Sequence, residues 1–268
     1  MKDISFLINA FVDHSRGFTG NSAYVLLLER WLPADEMLRI ARRNGVAETA
    51  FAVRNPSGSE ADYSLRWFTP DIEMDLCGHA TLATAFTIFT CTDFGKSGIS
   101  FSSNSGILKA SISGDVCTLD LPPRPASPSE LPQQILDSLS IKPLEVFKAR
   151  DYLLVYEDER DISGITIDRR LFDSVNIDPG GIAVTAPGHG CDFVSRFFTP
   201  QATILEDPVT GSAHCSLVPY WSRRLGKDEL TACQLSQEGG TLFCLNTPDR
   251  VFVGGKAEVV KKTEINFG

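Results

Sequence analysis

The chain has 268 residues, 43% of them hydrophobic, and a net charge of −9 with basic and acidic residues interspersed. That length holds one large domain or two ordinary ones with cores of their own, and the charge pattern excludes the basic patch that a nucleic-acid surface needs. The strongest apolar run, Tyr24-Val25-Leu26-Leu27-Leu28, stops at Glu29-Arg30, far short of the ~20 residues that cross a bilayer, and the first residues lack the order of a signal peptide.

In chain order, Ile4–Val12 and Ser22–Leu28 read as strands. Pro33–Arg43 reads as a helix with Pro33 near its first position, Met37, Leu38, Ile40 and Ala41 on one side, and Asn44-Gly45 ending it. Thr49–Arg54 and Ala61–Phe68 flank Asn55-Pro56-Ser57-Gly58, a hairpin signal. Gly78–Phe89 is apolar all round, as in a helix buried inside a domain. Strands are expected at 99–103, 106–112 and 116–121. Pro122-Pro123-Arg124-Pro125-Ala126-Ser127-Pro128 then ends regular structure close to mid-chain and is the linker candidate.

The second half repeats this order: a helix over Gln133–Leu139, strand material in Val146–Tyr156, a short helix over Arg169–Val175, strands at Gly181–Ala186 and Phe193–Phe198, a buried helix over Gly211–Leu225, and strands near 241–246, 250–254 and 257–266. The predicted division is 1–121 and 122–268, with the last strand free to pack back on the first lobe. Many short strands around one buried helix in each half define an α+β fold with a curled sheet wrapped on a central helix, not a doubly wound parallel sheet.

The halves also match in detail. Arg66-Trp67-Phe68-Thr69-Pro70 returns as Arg196-Phe197-Phe198-Thr199-Pro200, and Gly78-His79-Ala80 as Gly211-Ser212-Ala213. Such self-similarity at about half the chain length marks a duplicated unit. Each Gly-X-Ala step opens a helix, where backbone N–H groups lack internal partners and the dipole is positive; two such ends facing one cleft would clamp a carboxylate. Small residues there also simply permit close packing.

Glu206-Asp207-Pro208-Val209-Thr210-Gly211-Ser212 places two carboxylates and two hydroxyls ahead of the second helix, for chemistry or for capping. Glu48, in Gly45-Val46-Ala47-Glu48-Thr49-Ala50-Phe51, is a carboxylate among apolar neighbours. Their desolvation would raise its pKa from about 4.3 towards neutrality, as proton transfer requires; an ordinary exposed Glu at a strand start fits the same sequence. His79 titrates near neutrality at a candidate anion site.

Seven scattered cysteines, an odd number with no Cys-X-X-Cys pair, read as reduced thiols of a cytoplasmic protein. His189-Gly190-Cys191 and His214-Cys215 lack zinc-site spacing, so no metal is expected. Gly95-Lys96-Ser97 fails as a phosphate loop because Thr90 stands where a glycine is needed, and no Gly-X-Gly-X-X-Gly follows a strand.

With these residues in place, the chain resembles the phenazine biosynthesis-like PhzF family, within the diaminopimelate epimerase-like fold. The resemblance runs through Phe18-Thr19-Gly20-Asn21-Ser22, Ala47-Glu48-Thr49-Ala50-Phe51, Asp75-Leu76-Cys77-Gly78-His79-Ala80, Glu206-Asp207-Pro208-Val209-Thr210-Gly211-Ser212-Ala213-His214 and Gln234-Leu235-Ser236-Gln237-Glu238-Gly239-Gly240. It implies two pseudo-symmetric lobes, each a β-barrel around a central helix, with the active site between them. A homodimer and no cofactor are also implied.

The family's acid/base glutamate corresponds to Glu48, its companion polar residues to His79, Asp207 and Ser212, and its carboxylate-binding amides to Gly78 and Gly211. Asn21, Thr210 and Cys77 complete the expected substrate contacts. Ser22 stands where the family usually has proline, and Ala47 where it often has serine. Cofactor-free racemases of this fold use two opposed cysteines; here Cys77 precedes Gly78, but Thr210 precedes Gly211.

The expected function is a cofactor-independent isomerase that moves a proton within a small carboxylate-bearing metabolite, with no nucleic-acid or membrane partner. A thiol-dependent epimerase using Cys77 with another partner, and a non-catalytic binding protein on the same fold, are the alternatives.

Overall fold

The structure, a computed structural model, describes residues 3–178 and 180–265. In chain order the elements are β1 (Asp3–Ala10), β2 (Asn21–Leu28), α1 (Ala34–Asn44), β3 (Glu48–Arg54), β4 (Tyr63–Phe68), β5 (Glu73–Met74), α2 (Gly78–Cys91), β6 (Gly98–Ser103), β7 (Gly106–Ser113) and β8 (Val116–Leu121). There follow β9 (Ser127–Pro128), α3 (Gln133–Ser138), β10 (Glu145–Lys148), β11 (Tyr152–Val155), α4 (Glu159–Gly164), α5 (Arg169–Phe172), β12 (Ile182–Pro187), β13 (Phe193–Phe198), β14 (Glu206–Asp207), α6 (His214–Leu225), β15 (Glu229–Gln234), β16 (Gly240–Asn246) and β17 (Val251–Ile265). The chain forms two compact units: residues up to Leu121 with those from Gly254 onward, and Pro122–Val253.

In the first unit eight strands close a ring. β1 pairs with β2, β3 with β4, β6 with β7 and β7 with β8, all antiparallel; β2–β3 and β4–β6 are parallel; β17 joins β8 to β1. Closure removes the exposed strand edges that would otherwise template pairing with another chain. The ring approaches itself closely where β17 passes β1: a Cβ on Gly255 would come within 2.3 Å of the buried Phe11 ring, so only glycine fits.

α2 packs against β1, β2, β3, β7 and β8 at once, which requires it to be enclosed by the ring. Its sequence allows this, because Ala80, Leu82, Ala83, Ala85 and Ile88 are all fully buried. Burying Leu82 and Ile88 contributes about 1.5–3 kcal/mol each. The polar side chains that enter the core are neutralised locally: Thr81, Thr84 and Thr87 each donate to the carbonyl one turn back. α1 lies outside the ring, and its amphipathic stripe of Met37, Ile40 and Ala41 covers Leu26, Leu28, Phe51 and Phe68.

The second unit repeats the pairing order around α6. β10–β11 is antiparallel, β11–β12 parallel, β12–β13 antiparallel, β13–β15 parallel and β15–β16 antiparallel. Trp221 of α6 stacks on Phe193 of β13 at 5.6 Å and donates its Nε1–H to Thr185 of β12 at 2.9 Å, so the indole is both packed and satisfied.

Several expectations need correction. The helix expected over Gly211–Leu225 opens as a 3-10 turn at Gly211–Ala213, and α6 begins at His214. Val146–Tyr156 is a hairpin, β10 and β11, turned at Ala149–Asp151. α4 and β15 have no counterpart among the expected elements. β15 carries the weak strand formers Ala232 and Cys233 and becomes a strand by pairing on both sides, with β13 and β16.

The strands expected at 250–254 and 257–266 are one, β17, with position 266 outside the described residues. The proline-rich stretch does not simply end regular structure. Ser127 and Pro128 form β9 against β10, and Arg124 is strapped to α6: its N–H donates to the Cys215 carbonyl at 2.8 Å and its own carbonyl accepts from Ser216. Pro219, inside α6, supplies no N–H to Cys215, and that leaves the carbonyl open to Arg124.

Candidate active site

Three neighbouring elements of the first unit bring together four residues expected at a site. Glu48 opens β3, Asn21 opens β2, and Cys77 and His79 flank the start of α2. β2 and β3 are parallel neighbours with Ala23 opposite Glu48, so both strands begin on the same side of the sheet. Cys77 is the N-cap of α2 and its side chain makes no capping hydrogen bond; the helix starts at the buried Gly78.

His79 is the hub. Its Nδ1 lies 3.2 Å from Asn21 Nδ2 and 3.6 Å from Cys77 Sγ, and its Nε2 lies 3.1 Å from Glu48 Oε2. With the Asn21 amide donating, Nδ1 of the neutral ring is an acceptor and the ring proton sits on Nε2, towards Glu48. Glu48 Oε2 and His79 Nε2 are both buried and neither has an aligned hydrogen bond among the described residues, despite their ion-pair distance. Buried polar atoms are rarely left this way unless a ligand or water completes them.

Burial disfavours a charge on His79, but Cys77 and Glu48 beside it outweigh burial and raise its pKa well above the ordinary value. Burial first, and Glu48 second, push the Cys77 thiol up. Glu48, which faces Nε2 at 3.1 Å, is the carboxylate partner of the ring. Glu48, Cys77 and His79 donor atoms lie within 4.8 Å of one another, a set that a soft divalent cation accepts. The ring, however, presents Nδ1 to Cys77 and Nε2 to Glu48, and so bridges two partners from opposite edges.

The other expected residues lie in the second unit. Asp207, in β14, accepts from Thr210 Oγ1 at 2.6 Å. Glu206 is not free for chemistry: Arg196 grips it bidentately at 2.7 and 2.8 Å, as Arg66 grips Glu73 at 2.6 Å twice in the first unit. The N-cap residues of the following turn and helix, Thr210 and Ala213, make no side-chain capping hydrogen bond. Gly211 is buried, and the half-buried Ser212 hydroxyl makes no hydrogen bond among the described residues.

Sequence reasoning assigned no role to Gln234. Its side chain braces this turn on three atoms: Oε1 accepts from Thr210 N at 2.8 Å, and Nε2 donates to the Asp207 carbonyl at 2.7 Å and to Thr210 Oγ1 at 3.2 Å. Its place at the head of Gln234-Leu235-Ser236-Gln237-Glu238-Gly239-Gly240, one of the segments that carry the family resemblance, is the sequence signal that could have found it.

A closed barrel around an apolar helix, repeated in a second unit, with carboxylate, imidazole and thiol at the helix start, defines the diaminopimelate epimerase-like class. Known proteins carry the assignment further. The family model described as phenazine biosynthesis-like protein matches residues 8–262. An uncharacterized isomerase of Pseudomonas aeruginosa is 42% identical over 252 residues, 94% of each chain. A crystal structure of a PhzF-family phenazine biosynthesis protein from Enterococcus faecalis superposes with a TM-score of 0.90 at 39% identity over the full length of both chains. A predicted epimerase of Pseudomonas aeruginosa, at 16% identity and a TM-score of 0.74 over both full chains, shares the fold. The chain belongs to the phenazine biosynthesis-like PhzF family.

Proposed function

We propose that this protein is a cofactor-independent isomerase that moves a proton within a small carboxylate-bearing metabolite, with Glu48 as the acid/base. The observation that carries this reading is the pair of buried, incompletely bonded atoms, Glu48 Oε2 and His79 Nε2, 3.1 Å apart beside the start of α2. The Glu48 carboxylate accepts a proton from a carbon acid and returns it at a second position of the same substrate. His79, held by Asn21, steadies the charge that moves on and off Glu48. The backbone N–H at Gly78, where α2 starts, binds the substrate carboxylate. Asp207 and Ser212 are assigned to substrate positioning with the Gly211 amide, as the family resemblance implies.

Proton transfer of this kind needs only an acid and a base, so the reading calls for no cofactor. Relatives named as isomerases point the same way. The seven cysteines, none in a disulfide, fit a reducing, cytoplasmic setting.

The test works with an unidentified substrate. The protein is incubated in deuterated water with a panel of small carboxylates, and carbon-bound deuterium is read by mass spectrometry. A metabolite that acquires deuterium identifies the substrate class, and Glu48→Gln is expected to slow its exchange by about 10²-fold or more. Exchange at the wild-type rate in Glu48→Gln removes Glu48 from the mechanism.

A further inference from the structure

The second unit holds a recess that the Glu48 chemistry does not use. It lies where the proline-rich segment is bonded to both α6 and β10, and its volume is about 230 Å³. The segment is fixed at both ends, because the main chain of Arg124 is strapped to α6 while Ser127 and Pro128 pair with β10. Pro125, Pro219, Phe147 and Tyr220 line the recess, the two aromatic rings 5.3 Å apart and inclined at 59°.

Its polar groups are arranged for an anion. Arg224 Nη1 donates to Glu145 Oε1 and to Tyr220 Oη, both at 2.7 Å, which anchors the guanidinium through one nitrogen. Its Nε–H and Nη2–H groups have no hydrogen-bond partner among the described residues. That is the edge through which Arg66 and Arg196 each hold a glutamate bidentately. Arg224 therefore presents, unfilled, the fork that matches a carboxylate. The side chain of Arg223, which also lines the recess, makes no hydrogen bond or ion pair among the described residues. Two arginines against the single carboxylate of Glu145 leave the recess positive, in a chain whose net charge is −9.

We propose that this recess is a binding site for a small monocyclic aromatic carboxylate. Both carboxylate oxygens meet the Nε–Nη2 edge of Arg224, Arg223 adds a second positive charge, and the ring packs against Phe147, Tyr220 and the prolines. The volume lies below the roughly 300–1,000 Å³ of sites for drug-sized ligands, which restricts the occupant to about one ring. A carboxylate without a ring leaves the apolar lining wet, and a neutral ring leaves the fork unfilled. Every lining residue belongs to the second unit, whereas Glu48 and His79 belong to the first, so the site does not depend on the isomerase reading.

Binding is measured by fluorine NMR titration of 4-fluorobenzoate on the folded protein, with 4-fluorobenzamide, acetate and inorganic phosphate as comparison probes. 4-Fluorobenzoate is expected to bind saturably and about tenfold or more tightly than each of the three. Arg224→Gln is expected to weaken it by about tenfold or more, and Arg224→Lys, which keeps the charge but not the fork, by an intermediate factor. Phe147→Leu, which removes the ring face, should weaken it by about threefold. Thermal melting identifies the folded variants. Equal affinity for 4-fluorobenzamide overturns the carboxylate site, and equal affinity for acetate or phosphate reduces the recess to a charged surface and overturns the aromatic site. Unchanged 4-fluorobenzoate affinity in both folded Arg224 variants places the binding elsewhere and overturns the proposal, as does the absence of saturation up to about 10 mM.

Discussion

His214 is fully buried at the start of α6, its Nδ1 2.9 Å from the Thr210 carbonyl and its Nε2 without a hydrogen-bond partner among the described residues. Nδ1 therefore carries the proton and donates to Thr210, and the ring is neutral. Burial lowers its pKa to about 4, with the Thr210 hydrogen bond opposing. A histidine depressed in the folded state takes up its proton first in the unfolded chain, near pH 6.5. Stability is present above that pH and is lost as the pH falls from about 6.5 towards 4. The shift corresponds to a loss on the order of 3 kcal/mol at full expression. Denaturant unfolding monitored on the second unit between about pH 7.5 and about pH 4.5 should show this loss, and His214→Gln should flatten it. An unchanged slope in that variant assigns the acid sensitivity to other groups.

At the same scale, Glu206 and Asp207 illustrate why adjacent carboxylates cannot be ranked from a sequence. The two stand side by side and alternate in direction along a short strand. Arg196, ten residues earlier, takes Glu206, and that leaves Asp207 on the opposite side with Thr210 and Gln234.

Among the elements, the segments leading to α2 and α6 are built alike and diverge where chemistry is expected. β4 and β5 pair Phe68 with Glu73 and Trp67 with Met74; β13 and β14 pair Phe198 with Glu206 and Phe197 with Asp207. The arginine–glutamate brace recurs in both, and Asp207 occupies the place that Met74 holds in the first copy. The turn from Asp207 to Thr210 is held from outside by Gln234 on β15, and Ser236 adds a bond to the Pro208 carbonyl at 2.8 Å. Gln234→Ala leaves the buried Thr210 N–H without its acceptor, which costs about 1–3 kcal/mol. The midpoint of urea unfolding should fall accordingly, and Gln234→Glu should not restore it, because a carboxylate oxygen would replace the Nε2 donor that meets the Asp207 carbonyl at 2.7 Å. A midpoint within error of wild type for Gln234→Ala would mean that the brace contributes nothing to stability.

For the whole molecule, the family resemblance carries the expectation of a homodimer. Light scattering after size exclusion should give twice the mass of one chain, and a monomer mass across the working concentration range would refute it. No described helix is long and apolar enough to cross a membrane.

Much of the fold is legible in the sequence. The alternation of apolar residues marks most strands, Gly45 marks the end of α1 with its left-handed backbone, and the all-round apolar character of α2 marks an enclosed helix. These signals are local, so a single sequence carries them. β15 escapes such a reading because Ala232 and Cys233 carry little strand preference of their own, and its place is set by pairing with β13 and β16. The length of α6 is overstated from sequence because its first turn tightens to a 3-10 turn after Thr210.

By itself the sequence determined the duplicated order of elements, the family, and the residue types offered for chemistry, because periodicity, turn residues and motif spacing are properties of neighbouring positions. Only the tertiary structure decided that His79 links Cys77 to Glu48 by its two nitrogens, that Asn21 holds the ring, that Arg196 removes Glu206 from consideration, and that Gln234 fixes the Asp207 turn. Apart from the local Cys77–His79 approach at one helix start, each of these is a contact between residues far apart in the chain or on different elements, and its distance is set by how strands and helices pack.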